Sequence, residues 1–463
     1  MSTVDGADAF RTSGRVVIVG ASLAGLRAAE TLRTEGFTGR LTLIGEEPYE
    51  PYDRPPLSKQ VLLGRTRDGS TTLPRDCALD AEWRLGVRAV GLDLTTGRVR
   101  LAGGEEIPFD RLLIATGTRA RPWPNAAEAA LDGVCLLRTR DDTTRLQQAL
   151  AARPRRVLVV GAGFTGSEVA SVCRKLGLPV TVTERSATPL AGALGGRIGA
   201  VAAQMQREHG VDLRCGVTVT SLEGDADGHV RRAHLDDGTT VDVDVAVIAL
   251  GSIRNTEWLR GSGLAAGPWG VACDAGCRAF DMFGIVTDDV FAAGDVARCP
   301  HPLFGSEFLA LEHWSNAIEQ AKVAAHNMVT GQGRRRPDLH VPTFWSYQFG
   351  VGIKSVGVPP AGEDVVVVQG STDERRFVAL YGHRGRTVAA VAFNQGKWLD
   401  HYEEQIEMAA PFPPRTLNVD QPSSRTAVPA EFPDPAVPTE GPRVVLTGHS
   451  PTERQWTYVP APR

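Results

Sequence analysis

The chain has 463 residues, 42% of them hydrophobic and 22% charged, with a formal net charge of -4. These values predict a globular protein of about two to four domains and argue against nucleic acid as the main partner. The first 14 residues lack the apolar core of a secretion signal. The longest apolar runs, such as residues 243–250, are too short for a bilayer, so the expected location is the cytoplasm, with no membrane contact.

In chain order, residues 16–19 form an apolar β-branched run that enters the turn Gly20-Ala-Ser22-Leu23-Ala24-Gly25. A helix is expected from about 23 to 35, and then a strand over 41–44 that ends at Gly45-Glu46. A proline-stiffened loop follows, Pro48-Tyr-Glu-Pro-Tyr-Asp-Arg54-Pro-Pro-Leu-Ser-Lys59. Alternating segments at 87–92 and 98–101 read as β structure, and Arg111-Leu-Leu-Ile-Ala115-Thr116-Gly117 closes the first region. The pattern then repeats. Residues 157–160 lead into Gly161-Ala-Gly163-Phe164-Thr165-Gly166, with a helix expected from about 164 to 176 and a strand over 180–183 ending at Glu184. Residues 217–250 alternate again and end in Ala-Val-Ile-Ala-Leu-Gly251, a partial echo of the segment ending at Gly117. Beyond Val290-Phe-Ala-Ala-Gly294-Asp295 a helix is expected from about 310 to 328. Gly331-Gln-Gly-Arg-Arg-Arg-Pro337 reads as a solvated linker or as a contact for an acidic partner. A third region, about 341 to 408, alternates like strands and ends in a helix. From 411 the chain is rich in Pro, Ser, Thr and acidic residues and reads as an extended or weakly docked tail, in which 444–446 and 456–459 have the apolarity to pack locally.

Each glycine-rich turn sits between a strand and a helix, the order a dinucleotide site needs: the backbone approaches the pyrophosphate closely, and the helix presents free N–H groups to it. An acidic residue some twenty positions on, Glu46 in the first unit and Glu184 in the second, suits a ribose hydroxyl pair. Two complete units imply two nucleotides bound together and electron transfer between them. The seven cysteines include no Cys-x-x-Cys pair and read as reduced thiols. His209, His313 and His326 have no metal spacing, so no metal is expected.

Pro51-Tyr-Asp-Arg-Pro-Pro-Leu-Ser-Lys59, Ala115-Thr-Gly117, Gly161 to Glu168, Phe291-Ala-Ala-Gly-Asp295, Glu312-His-Trp314 and Phe344-Trp-Ser346 together resemble the FAD-dependent ferredoxin reductases. These include the putidaredoxin-reductase and dioxygenase-reductase types, and apoptosis-inducing factor is a relative. The resemblance covers residues 16 to 414. It implies an α/β fold with two Rossmann-like, glutathione-reductase-like domains and a C-terminal α+β domain. The FAD domain would span 10–122 and 250–335, the NAD domain 123–249, the C-terminal domain 336–410 and the tail 411–463. It further implies that Gly20, Ser22, Leu23, Ala24 and Gly25 cradle the FAD pyrophosphate, with Glu46 on the adenosine ribose. Arg54 and Lys59 would lie against the flavin, Asp295 on its ribityl chain or phosphate, and Ala115, Thr116, Gly117, Arg121, Glu312, His313, Trp314 and Trp345 would complete the FAD site. For NAD it implies Gly161, Gly163, Phe164, Thr165, Gly166, Glu168, Glu184 and Gly251. Lys59 and Glu168 take the catalytic part, because a positive charge near flavin N5 stabilises the anionic reduced ring and a carboxylate orients that charge.

The implied activity is hydride transfer from NADH to FAD N5, followed by single electrons to a [2Fe–2S] or similar ferredoxin that supplies a cytochrome P450 or a ring-hydroxylating oxygenase. Glu184 favours NADH, while Arg185 leaves NADPH open. The expected assembly is a monomer or weak homodimer. Two positions depart from the family pattern: Ala310 stands where relatives have Arg, and Tyr347 where they have Asp, as though a charge pair had been lost. Alternatives are an NADH-sensing flavoprotein, another acceptor such as rubredoxin, quinone or O2, and a disulfide, peroxide or CoA-disulfide reductase. The last needs a cysteine near the flavin, and residues 45–59 contain none.

Overall fold

The computed structural model describes residues 9–66 and 68–414, together with three short strands, Leu417–Asp420, Arg443–Thr447 and Gln455–Val459. It divides into two compact units. One comprises residues up to 54, 68–119 and 252–342; the other comprises 55–66, 120–251 and 343 onward.

The first unit is built on the strand Arg15–Val19, whose four apolar residues Val16 to Val19 are at most 3% exposed. An uninterrupted β-branched run covered on both faces is what a parallel sheet requires. Each such side chain contributes roughly 1.5–3 kcal/mol by leaving water. The strand lies inside a six-stranded sheet in the order Arg278–Phe280, Val286–Ala292, Arg111–Ile114, Arg15–Val19, Arg40–Gly45, Glu82–Leu85. All neighbours are parallel except the antiparallel hairpin at the Arg278 edge. The helices Leu23–Thr34 and Trp314–Val329 pack against each other and bury small residues, among them Ala28, Ala29, Ala321 and Ala324.

The second unit repeats the arrangement. Five parallel strands run in the order Asp212–Cys215, Val180–Glu184, Val157–Val160, Val245–Ile248, Val134–Cys135. Its helix Phe164–Lys175 shares a hydrophobic core with a C-terminal antiparallel sheet of Thr343–Gln348, Val351–Gly357, Arg386–Phe393, Arg376–His383 and Asp364–Ser371. Phe164 meets Phe344 with ring centroids 4.9 Å apart, and Phe377 stacks on Phe393 at 4.6 Å. The helix Leu399–Glu407 closes this sheet through Tyr402 and Ile406.

The differences from expectation are local. The helix expected from 310 begins at Trp314 with His313 as its N-cap, after a strand Glu307–Leu309 that pairs with Ala297–His301. In the segment read as a solvated linker, Arg334 and Arg336 are exposed, but Arg335 is packed and ion-paired to Asp288 at 2.9 Å. Within the tail, Arg443–Thr447 and Gln455–Val459 pair with each other antiparallel, and Leu417–Asp420 joins them in parallel. The remaining proline-rich stretches of the tail and residues 1–8 lie outside the described residues. All seven cysteines are free. Among the described residues no helix is long and apolar enough to cross a membrane, and no cluster of ligating side chains suits a metal.

Candidate functional site

The first glycine-rich turn is fixed by two close approaches. Gly20 has φ +118°, and a Cβ there would stand 2.0 Å from the Ala115 carbonyl oxygen. A Cβ on Gly25 would stand 1.9 Å from the Gly20 carbonyl oxygen. Neither position admits a side chain, and the first also needs the left-handed backbone that favours glycine. Ser22 is the N-cap of Leu23–Thr34, and its side chain makes no capping hydrogen bond to the first-turn N–H groups. That leaves the positive end of the helix to a ligand at Ser22, Leu23, Ala24 and Gly25.

Around this turn the first unit assembles most of the residues implied for FAD. Ala115 follows the strand Arg111–Ile114. Thr116 and Asn255 are tied by two hydrogen bonds, Thr116 Oγ1 to the Asn255 carbonyl (2.8 Å) and Asn255 Nδ2 to the Thr116 carbonyl (2.9 Å). Gly117 has φ +59° and open space at its Cβ position. Asp295 lies on the short helix Gly294–Val296 and accepts from Thr118 Oγ1 at 3.2 Å. Arg54 donates to the Tyr52 hydroxyl at 3.0 Å and pairs with Glu47. Trp314 Nε1 donates to Asp53 at 2.9 Å. Glu312 accepts from Ser252 Oγ at 2.6 Å and pairs with Arg254 at 3.3 Å. His313 is the N-cap of the helix Trp314–Val329, and burial pushes its imidazole down to about 4, so it is neutral at pH 7. Asp53, Glu47, Asn255 and Thr118 were not singled out in the sequence. The signal for Asp53 and Glu47 was their place beside Arg54 and Glu46; Asn255 and Thr118 gave none.

Glu46 and Glu184 are offset by one residue relative to their turns. The Gly20 N–H donates to the Ile44 carbonyl, and the Gly161 N–H donates to the Thr183 carbonyl, both at 2.8 Å. The structural counterpart of Glu184 is therefore Gly45, and Glu46 is one residue farther on. At Gly45 a Cβ would meet Ala21 Cβ at 2.8 Å, which excludes a carboxylate there. The Glu46 side chain is 60% exposed and pairs with Arg88.

In the second unit the turn has the same construction. Gly161 has φ +103°, and its Cβ would lie 2.4 Å from the Ala249 carbonyl oxygen; a Cβ on Gly166 would lie 1.9 Å from the Gly161 oxygen. Gly163 is the N-cap of Phe164–Lys175, and apart from its chain neighbours no atom of the described residues lies within 4 Å of its Cβ position. Nothing in the fold demands glycine there, whereas a dinucleotide-binding turn uses glycine at this position to let its backbone approach a pyrophosphate. Thr165 lies in the same helical first turn. Glu184 ends its strand with Oε2 accepting the Ala162 N–H at 2.8 Å and Oε1 accepting the Ser186 N–H at 2.7 Å, so its carboxylate is held beside the glycine turn. Gly251 has φ +84°, and its carbonyl accepts the Arg121 N–H at 2.9 Å. The open Gly163 position, the uncapped helix ends and the fixed Glu184 carboxylate together fit dinucleotides.

The second unit also holds a buried charge pair. Lys59 Nζ lies 2.7 Å from Glu168 Oε2, with the two side chains 14% and 6% exposed. Lys59 also donates to the Pro55 carbonyl at 3.1 Å. Ser58 donates to Glu168 Oε2, and Ser346 donates to Oε1 at 2.6 Å. Gln348 Nε2 in turn donates to Ser346 Oγ at 3.2 Å. Glu168 therefore has both oxygens claimed and is more than a partner for the helix dipole. Breaking such a buried pair from one side typically costs about 3–5 kcal/mol. Ser58 and Ser346 were passed over in the sequence, although both lie inside quoted motifs. Trp345, next to Ser346, is 41% exposed on the opposite side of its strand. Tyr347 has Lys175 Nζ 5.1 Å from its ring centroid.

Two of the thiols are poorly suited to redox chemistry. Burial pushes Cys135 up to about 11 and Cys173 up to about 12. A thiol with so little thiolate at neutral pH is a weak nucleophile.

Residues 14–324 match the family described as pyridine nucleotide-disulphide oxidoreductase, and residues 343–427 match reductase C-terminal. The chain is 35% identical over 81% of its length to a probable ferredoxin reductase, CtmF, of Castellaniella defragrans, covering 89% of that protein. It is 35% identical over 82% of its length to the ferredoxin--NAD(+) reductase component of the anthranilate 1,2-dioxygenase system of Burkholderia cepacia, covering 91% of it. The crystal structure of the covalent putidaredoxin reductase–putidaredoxin complex superposes with a TM-score of 0.80 at 29% identity, covering 86% of this chain and 94% of that one.

Proposed function

Since the chain belongs to the pyridine nucleotide-disulphide oxidoreductase family and is an oxidoreductase of the ferredoxin--NAD(+) reductase type, we propose that it binds FAD in its first glycine turn and NADH in its second, and passes electrons to a [2Fe–2S] or similar ferredoxin. The observation that carries this reading is the pair of complete dinucleotide cradles, each with a steric need for glycine at its outer positions and an uncapped helix behind it. FAD, when bound, supplies the exchange between a two-electron donor and a one-electron carrier.

The chain's own residues hold, orient and select. The N–H groups at Leu23, Ala24 and Gly25 receive one pyrophosphate, and those at Phe164, Thr165 and Gly166 the other. Glu184 is the selector for NADH: its carboxylate takes a ribose hydroxyl pair and repels a 2′-phosphate. Arg185, the next residue, is exposed. Lys59 supplies the fixed positive charge of the catalytic site. Glu168, clamped by Ser58 and Ser346, sets its position. Hydride exchange needs no general base, which agrees with the neutral His313. The ferredoxin serves an oxygenase of the cytochrome P450 or ring-hydroxylating type.

The test is steady-state oxidation of NADH by the yellow protein, with a panel of [2Fe–2S] ferredoxins and cytochrome c as terminal acceptor. Cytochrome c reduction that depends on one added ferredoxin is expected. Reduction at the same rate with every ferredoxin omitted contradicts the reading.

A further inference from the structure

The second unit contains a cavity of about 180 Å³ that none of the residues assigned above lines. It sits beside the edge strand Val134–Cys135, and its walls are Trp123, Ala129, Val134, Leu136 and Ile248, with Cys135 among them. A cavity of about 150 Å³ with aliphatic and aromatic walls is enough to bind benzene, so this one holds a single ring-sized molecule.

The aromatic wall is fixed in advance. Trp123 Nε1 donates to Glu128 at 2.6 Å, and Glu128 also accepts from Asn125 Nδ2 at 2.8 Å and from the Leu222 N–H at 2.9 Å. The indole N–H is therefore satisfied, and the ring presents apolar surface to the cavity. Binding against a wall already held costs less ordering entropy than binding against a mobile one. Burial holds the Cys135 thiol neutral, with its titration pushed up to about 11, which keeps that wall apolar as well.

Two polar groups line the cavity, and they define what it takes. Asp142 Oδ2 is occupied by the N–H groups of Arg138 (3.1 Å) and Thr139 (2.9 Å) at the start of the helix Arg140–Ala151. Among the described residues, Asp142 Oδ1 has only Arg145 Nη2, at 3.5 Å. Arg145 is 72% exposed, and its other contact is a 3.4 Å one to the Asp141 carbonyl. Both distances exceed the 2.7–2.9 Å or so of a strong charge-assisted hydrogen bond. An anionic ligand would bring a second negative charge to Asp142, and a cationic one would face Arg145. A neutral hydroxyl answers both groups, donating to Asp142 Oδ1 and accepting from Arg145.

We propose that this cavity is a binding site for a small neutral cyclic alcohol or phenol, with the ring between Trp123, Leu136 and Ile248 and the hydroxyl between Asp142 and Arg145. The site is independent of the electron-transfer reading, since neither nucleotide takes part in it.

The test is fluorine NMR of 4-fluorophenol with the full-length protein at neutral pH, with no NADH or ferredoxin present. Saturable broadening that cyclohexanol displaces is expected. The Ala129→Leu variant fills the cavity and abolishes the broadening while melting at the wild-type temperature. Arg145→Gln, an exposed position that leaves the core alone, weakens binding, and 4-fluorobenzoate binds at least about tenfold more weakly than the phenol because its charge meets Asp142. Broadening that survives unchanged in both variants, or a benzoate that binds as tightly as the phenol, overturns the proposal.

Discussion

The two glycine turns are alike where the fold constrains them and differ where a ligand does. In each, the outer glycines are required by backbone oxygens 1.9–2.4 Å from where a Cβ would be. The middle position is Ser22 in the first and Gly163 in the second, and the Gly163 Cβ position is open apart from its chain neighbours. The acidic residue differs more. Glu184 is bound to its own turn through the Ala162 N–H, whereas the equivalent position in the first unit is Gly45, pressed on Ala21, and the neighbouring Glu46 turns to Arg88. The shared features are those the proposed pair of dinucleotide cradles needs, and on that proposal only the second selects its nucleotide through a ribose carboxylate.

The sharpest way to break this comparison is to damage each turn in the same way. Gly20→Ala should lose roughly 3 kcal/mol or more of stability from strain and overlap, and should purify without its yellow colour. Gly161→Ala carries the same overlap but should stay yellow, with at least about a tenfold loss in NADH affinity. Absorbance at the flavin band and NADH titration read both; the opposite pairing of outcomes would exchange the two assignments. Next in size, Glu184→Gln should raise the KM for NADH by about tenfold and narrow the preference over NADPH, because a charged acceptor is lost. Glu46→Gln should change FAD retention less than about threefold, as expected of a surface ion pair; parallel kinetics and FAD dialysis decide between them. Gly163→Ala should leave the melting temperature unchanged and raise the KM for NADH severalfold, since the added methyl meets only ligand. Ser22→Gly should affect neither greatly. The smallest effect is one in which the two units match. Each buries a histidine whose titration burial pushes down to about 4, His313 in the first and His401 in the second. A depressed histidine favours the fold fully above its unfolded value of about 6.5, and that contribution is lost as pH falls from there toward 4. His401→Gln should remove about 1–2 kcal/mol of the stability difference between about pH 7 and about pH 5, measured by thermal melts at both.

The parallel sheets were legible because Val16–Val19 and Val157–Val160 are unbroken apolar runs, β-branched except at Leu158, that end in glycine, a pattern with few other readings. The Lys59–Glu168 pair came from the motif, and its geometry agrees. The clamp of Ser58 and Ser346 was not legible, because it joins residues 288 positions apart through register that local pattern does not encode. Residue counting did not show that Glu46 lies one residue beyond the position of Glu184, since a count cannot tell which residue ends a strand; the carbonyl that receives the Gly20 N–H can. The helix expected from 310 was read too early for a similar reason, as Glu307–Leu309 is strand only by virtue of its partner Ala297–His301. The cavity beside Val134–Cys135 left no sequence signal, because its walls come from five separate segments.

The central claim is tested most directly by anaerobic stopped-flow of the yellow protein, mixed first with NADH and then with a ferredoxin, following the flavin band. The account predicts rapid loss of the band with NADH, slower with NADPH, and rapid return with at least one [2Fe–2S] ferredoxin. Loss of the band with NADH and no return with any ferredoxin would contradict it.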